Sequence, residues 1–245
     1  MTGRSAGAVP HKPVRGPHKA VRGPLGVARG PLGAVAGLAA LVVVVLGVLF
    51  AGDSGPTAVD ARVWAVVGGA VVGGVGAPWR DVALAVDFLG EPVGAVVLVA
   101  GAVGGCLLLR RPRAAVLVVA GVGISVGATK LLKPVVGRTI HGENLSFPSG
   151  HTAFLTAFAL VVALLLAGRI GLRGAAGTSL VAAVGLIAGG AMGWAQVVLS
   201  AHYPTDVVGG WCTAMAVVPA TAWLVGRAAG RPADRGADAP RGDRC

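Results

Sequence analysis

Two short segments carry the side chains best suited to chemistry. The first, NLSFPSGHTAF, runs from Asn144 to Phe154 and places Ser149, Gly150 and His151 where a polar loop meets a long apolar run. Amide N–H groups in the first turn of a helix have no intrahelical partner, so such a turn binds anions, phosphate especially. Taken alone, the segment fits equally well a serine helix cap followed by an incidental histidine.

The second segment is HYPTD, from His202 to Asp206. A separation of four residues places the two side chains on one side of a first helical turn, where Pro204 is tolerated because its missing N–H needs no partner. A carboxylate bonded to one ring nitrogen of histidine fixes the tautomer and makes the other nitrogen a better nucleophile or base. Without its context, the pattern favours a histidine at the membrane interface and Asp206 as a helix cap.

A basic pair precedes both segments. Lys133 and Arg138 belong to KPVVGR, which we place just beyond the third apolar span. Cations there either satisfy the carboxyl end of the helix dipole or clamp phosphoryl oxygens. A basic pair, an anion-binding turn with histidine, and a His–Asp pair together supply every part needed for phosphoryl transfer through a phosphohistidine.

The elements that must position these residues are long apolar runs. Of the 245 residues, 55% are hydrophobic and 13% charged, and several runs approach the roughly 20 residues needed to cross a bilayer. A shorter glycine-rich segment, 63–79, fits an interfacial or re-entrant helix on the outer face. We therefore predict an all-α integral membrane bundle of six transmembrane helices with an extra interfacial helix between spans one and two. The six predicted spans are 33–51, 92–109, 114–132, 151–167, 179–199 and 207–225.

Charge placement predicts the orientation of the bundle. With six spans, most of the 21 Lys and Arg residues fall on one side, which the positive-inside rule makes the cytoplasm. We expect a multi-pass plasma-membrane protein with both termini cytoplasmic and the loops 134–150 and 200–206 outside. The predicted organisation is a basic low-complexity cytoplasmic tail (1–31), a six-helix membrane domain (32–228) and a basic cytoplasmic tail (229–245).

Other classes of partner fit the sequence less well. The net charge is +11, yet the basic residues sit in tails and short loops, which favours anionic lipid over nucleic acid. The three cysteines have no metal-ligand spacing, and the spacing of His141, Glu143 and His151 is irregular, so no metal site is predicted. The alanine, glycine, valine and arginine bias is typical of a bacterial genome.

In this order, the motifs resemble those of the type 2 phosphatidic acid phosphatase superfamily, membrane enzymes that remove phosphate from lipid phosphates and diphosphates without a metal. The resemblance covers roughly residues 91–226 and is carried by PSGH followed by HYPTD. It implies that His202 is the nucleophile, that Asp206 orients and activates it, and that His151 is the general acid. It implies no cofactor.

The resemblance also implies a phosphate site, from which this sequence departs. Lys133, Ser149 and the Gly150 amide would hold the phosphoryl oxygens, and Arg138 matches an arginine that frequently precedes the family's motif arginine by two positions. Where the family has two further arginines, this chain has Ile140 and Gln196. Gln196 still offers a neutral hydrogen-bond donor.

The function implied is that of an integral membrane lipid phosphatase with an outward-facing site. Phosphatidic acid, phosphatidylglycerophosphate and polyprenyl phosphates or diphosphates fit as substrates, with the weaker phosphate clamp better matched to a monophosphate. The alternative is a non-catalytic protein that binds anionic lipid on a degenerate phosphatase scaffold. Ile140 and Gln196 favour the alternative, whereas the intact His151, His202 and Asp206 favour the enzyme.

Overall fold

The computed structural model describes residues 31–72, 78–172 and 174–230. The two predicted basic tails therefore lie outside the described residues, apart from positions 31, 229 and 230. Four helices begin with proline, whose fixed φ and missing N–H suit the first helical position. The elements in chain order are α1 (Pro31–Leu49), α2 (Ala58–Val72), α3 (Trp79–Phe88), α4 (Pro92–Leu108), α5 (Pro112–Val136), β1 (Thr139–Ile140), β2 (Asn144–Leu145), α6 (Gly150–Arg169), α7 (Gly174–Val198) and α8 (Pro204–Gly230).

The chain is a multi-pass helical membrane protein. Helices α1, α5, α6, α7 and α8 are each long and apolar enough to cross a bilayer. Helices α3 and α4 meet at a 56° bend and together form either a broken sixth span or a re-entrant loop. The predicted all-α membrane bundle is thus confirmed.

The connection between the first span and α4 contains two helices where the sequence predicted one. Helix α2 begins at Ala58, five residues before the predicted start. Its start is fixed by a reciprocal cap, in which the Asp60 N–H donates to Thr57 Oγ1 (3.1 Å) and the Thr57 N–H donates to Asp60 Oδ2 (3.0 Å). Such a capping box satisfies two amides of the first turn. A prediction based on apolar residues alone missed this polar turn.

The core of the bundle lies around α6, which packs against α5, α7 and α8. Leu160 and Val161 of α6 are fully buried. A Cβ atom added at Gly185 of α7 would lie 2.7 Å from Leu160 Cδ2, so a larger residue there would force the Leu160 side chain to shift. Small residues at membrane helix contacts allow such close packing.

Helix α5 extends beyond its predicted end at 132, so Lys133 lies in its last turn and not past it. The helix continues through Pro134 and stops where Gly137 adopts φ +68°, the left-handed conformation that commonly ends helices. The β1–β2 hairpin then reverses the chain, with Ile140 paired to Asn144. This reversal leads directly to the start of α6.

Candidate active site

Asp206 lies in the first turn of α8, and His202 lies just before it. The Tyr203 N–H donates to Asp206 Oδ2 (3.1 Å), so the carboxylate does cap the helix. The same oxygen lies 3.6 Å from His202 Nδ1, which is longer than a hydrogen bond. Among the described residues, Nδ1 has no hydrogen-bond partner. Asp206 therefore holds the helix start and faces the histidine ring.

Burial sets the protonation state of His202. Desolvation disfavours the imidazolium and lowers the pKa of His202 below its ordinary value of 6.5, although Asp206 opposes this shift. The positive charges of Lys133 and His151 lower the pKa further. A neutral ring at neutral pH is the form in which histidine can act as a nucleophile.

The segment PSGH contacts the segment HYPTD through its backbone. Ser149 caps α6, because the Thr152 N–H donates to Ser149 Oγ (3.4 Å). The Ser149 N–H donates to the carbonyl oxygen of Asp206 (3.0 Å). A Cβ atom at Gly210 would collide with the Ser149 carbonyl oxygen, so glycine allows α8 to approach this closely. The two segments that carry the predicted chemistry are therefore joined.

Lys133 and Gly150 border this junction. Lys133 Nζ donates to the carbonyl oxygen of Leu145 in the hairpin (2.8 Å). Gly150 is the first residue of α6, and a Cβ atom there would lie 3.6 Å from Thr129 Oγ1 of α5. Amides at a helix start such as that of α6 lack intrahelical partners, and they and the ammonium of Lys133 are groups that can bind an anion.

Arg138 is placed differently from an open phosphate ligand. Its side chain is fully buried, with Nη1 2.7 Å from Asp206 Oδ1 and Nη2 2.9 Å from Asp60 Oδ2. Its guanidinium carbon lies 4.2 Å from the centre of the Phe50 ring and 4.4 Å from that of Tyr203. Arg138 thus pairs with two carboxylates and leaves no exposed surface for a phosphoryl group.

Asp60 is a buried residue of this site that sequence reasoning missed. Its Oδ1 accepts from the Thr205 N–H in the first turn of α8 (2.9 Å). Burial alone would raise the pKa of Asp60, but hydrogen bonds from Thr205, Thr57 and Arg138 outweigh it and lower the pKa. The Thr57-x-x-Asp60 spacing, typical of a helix start, is the signal that could have revealed it.

Gln196 contacts Asp87, which lies near His151. It is fully buried in α7, and its amide nitrogen donates to Asp87 Oδ1 at the end of α3. Asp87 Oδ1 lies 3.8 Å and Glu91 Oε1 3.5 Å from His151 Nε2. Two carboxylates four residues apart within VALAVDFLGEPVG were a signal for a functional site near a membrane.

The bend between α3 and α4 packs directly on His151. A Cβ atom at Gly90 would lie 2.5 Å from His151 Cδ2, so the backbone of the bend covers the ring. The ligand atoms of Asp87, Glu91 and His151 lie within 4.8 Å of one another, close enough to share a cation.

The remaining polar candidates lie apart from this junction. His141 is exposed, and its Nε2 lies 2.8 Å from the carbonyl oxygen of Ser200. Glu143 is exposed in the hairpin turn, whereas Ile140 is buried in β1. His141 thus links the two loops and does not join His151 in a ligand set.

Part of the chain is similar to known proteins. Residues 114–229 match the sequence model of the PAP2 superfamily. The resemblance drawn from the motifs is confirmed. A structural match is the transmembrane PAP2-type phosphatidylglycerolphosphate phosphatase from Bacillus subtilis, with a TM-score of 0.59 over 82% of this chain and 98% of that chain. The two are 21% identical, so they share the PAP2 fold. No curated protein matches the chain.

The matched PAP2 region includes both motif segments and Lys133, but it excludes three of the acidic residues described above. Asp60 on α2, Asp87 on α3 and Glu91 at the bend all precede residue 114. The surroundings of the two histidines are therefore completed by helices outside the matched region.

Proposed function

We propose that this chain is an integral membrane lipid phosphatase that acts through a phosphohistidine on His202. The observation that carries the proposal is the junction of PSGH and HYPTD, where His202 lies buried beside Asp206. The PAP2 fold supports it, and the B. subtilis protein of the same fold is named as a phosphatidylglycerolphosphate phosphatase.

The first step forms a bond from His202 Nε2 to phosphorus. Nδ1 faces Asp206, which leaves Nε2 as the nitrogen free to attack. The bond from phosphorus to the lipid oxygen breaks, and His151 donates a proton to that oxygen. Lys133 and the free amides at the start of α6 offset the charge that develops on the phosphoryl oxygens.

Water completes the reaction. His151, now neutral, takes a proton from the water that attacks phosphorus, and the bond to His202 Nε2 breaks to release inorganic phosphate. The carboxylate of Asp206 stabilises the His202 ring while it is positively charged. These groups carry both steps, and we propose that the reaction needs no metal.

The charges around the site favour a phosphomonoester. Arg138 is paired with two carboxylates and Gln196 with Asp87, so Lys133 is the cation left for phosphate among the residues described above. Asp87 and Glu91 add negative charge beside His151 and would repel a second phosphate. We therefore propose lipid monophosphates, such as phosphatidic acid, phosphatidylglycerophosphate or polyprenyl phosphate, as substrates on the outer face of the membrane.

Phosphate release by the purified protein tests the proposal. Protein in detergent is incubated with a panel of lipid phosphates in the presence of a chelator, alongside His202→Ala and the matched control His141→Ala. We expect activity in the native protein and in His141→Ala, and none in His202→Ala. Activity that persists without His202 contradicts the phosphohistidine, and activity lost to the chelator contradicts the metal-free reaction.

The same experiment also tests the alternative that the protein binds lipid without hydrolysing it. The substitution of both expected family arginines, at Ile140 and Gln196, is the observation that favours it. No phosphate release from any lipid, together with retention on vesicles that contain phosphatidic acid, would support binding without turnover. Trapping of an acid-labile phosphate on the native protein, absent from His202→Ala, would exclude it.

A further inference from the structure

The carboxylate of Asp60 joins three elements that are distant in sequence. It is fully buried on α2, and its Oδ2 accepts from Arg138 Nη2 (2.9 Å) and Thr205 Oγ1 (3.1 Å). Its Oδ1 accepts from the Thr205 N–H (2.9 Å). Thr205 is the neighbour of Asp206, so Asp60 contacts both the helix turn and the arginine that hold Asp206.

The positive charge of Arg138 weakens the electrostatic effect of Asp206 on His202. A guanidinium 2.7 Å from the carboxylate cancels much of the negative field that Asp206 exerts on the His202 ring. Asp60 balances that guanidinium from its other side, so the three buried groups together carry one negative charge. With Asp60 present, Asp206 can act on His202 as an unneutralised carboxylate.

The other charged groups around His202 do not supply that field. Lys133 comes from α5 and His151 from α6, and both act on His202 as positive charges. The negative charge near the ring therefore depends on Asp206 and on the balance of Arg138. Helix α2, which carries Asp60, is held in place by its capping box and by Trp64, whose ring centre lies 5.2 Å from that of Tyr203.

We propose that Asp60 is a positioning residue for phosphoryl transfer, which acts on His202 through Arg138 and Asp206. The inference rests on the proposed function, but it concerns a helix outside the matched PAP2 region. It makes α2 a part of the catalytic machinery, with no direct contact between Asp60 and the phosphate.

Asp60→Asn tests the proposal because it keeps the shape and one acceptor oxygen but removes the charge. Arg138 then offsets Asp206 more fully, so we expect turnover to fall by about tenfold or more. We expect the acid limb of the pH–rate profile to move to lower pH by about half a unit or more, because the imidazolium of His202 loses its stabilising field. Asp53→Asn, an exposed aspartate between α1 and α2, is the matched control and should match the native protein.

The pH profile separates positioning from a structural role. A smaller folded fraction lowers the rate but leaves the acid limb in place, so an unmoved limb in Asp60→Asn overturns the proposal. A second variant, Asp60→Asn with Arg138→Met, removes both charges and should return the limb toward that of the native protein. A limb that stays low in the double variant also overturns the proposal, and this outcome can be measured even if Asp60→Asn alone does not fold.

The same experiment distinguishes failure of the proposed function from failure of the role proposed for Asp60. If the native protein and Asp53→Asn release no phosphate, the enzyme itself is contradicted. If both are active, His202→Ala is inactive and Asp60→Asn matches the native protein in rate and profile, only the role of Asp60 is contradicted.

Discussion

The guanidinium of Arg138 lies 2.7 Å from the carboxylate of Asp206, and both side chains are fully buried. The sequence motifs predicted Arg138 as a ligand for phosphate, whereas in the structure it is the partner of the residue that faces His202. An arginine held between two carboxylates and two aromatic rings contributes to the framework of the site.

Arg138→Met should therefore destabilise the protein more than it changes substrate affinity. The substitution leaves Asp60 and Asp206 buried without their counter-ion, and breaking such a pair costs about 3–5 kcal/mol. Thermal unfolding in detergent measures the loss. Lys133→Met is the matched comparison, for which we expect near-native stability and a loss of about a hundredfold in turnover. If Arg138 instead binds phosphate, Arg138→Met would raise KM and change the unfolding temperature little.

The pKa of His202 predicts the acid side of the pH–rate profile. Because burial lowers this pKa below 6.5, the ring stays neutral on acidification until below pH 6.5, and the acid limb of kcat/KM should lie there. Asp206→Asn removes the group that raises the pKa, so its residual activity should extend to still lower pH. An acid limb above pH 6.5 in the native protein would contradict this assignment, and His141→Ala should leave the limb unchanged.

Glu91→Gln should relax the proposed preference for monophosphates. Glu91 is half-exposed and 3.5 Å from His151 Nε2, so solvent screens its charge and we expect only a roughly two- to fivefold gain. The measurement is the ratio of kcat/KM on a polyprenyl diphosphate to that on the matching monophosphate. Glu143→Gln, in the exposed hairpin turn, should leave the ratio as it is. A ratio that falls in Glu91→Gln would show that this carboxylate does not repel the second phosphate.

Gly90→Ala should displace His151, the proposed proton donor, without unfolding the protein. The new Cβ atom would lie 2.5 Å from His151 Cδ2, so the ring must move, and a displacement of about 1 Å can cost about a hundredfold in rate. Gly101→Ala in α4 is the matched control, because nothing lies within 4 Å of a Cβ there. Native turnover in Gly90→Ala would mean that the ring position is not critical.

The sequence predicted those parts of the structure that depend on neighbouring residues. The helix starts at Gly150 and Pro204 follow from a serine cap and an N-terminal proline, and each lies within two residues of its motif histidine. The lengths of the apolar runs gave the membrane helices. Local physical rules are sufficient for such features.

The partners of the site residues could not be predicted, because they come from distant helices. Nothing around Arg138 in the chain indicates that Asp60 will meet it 78 residues away, or that Gln196 will turn toward Asp87. A motif specifies which side chains are present, but tertiary packing decides whether a cation faces phosphate or a carboxylate. The predicted phosphate contacts of Ser149 and Gly150 remain predictions.

The bend between α3 and α4 lies outside the region that matches the PAP2 superfamily. It places Asp87, Gly90 and Glu91 against His151, yet none of the three belongs to the matched region. Two relatives with identical motifs can therefore surround the same histidines with different charges. Substrate preference can then diverge between them while every motif residue stays the same.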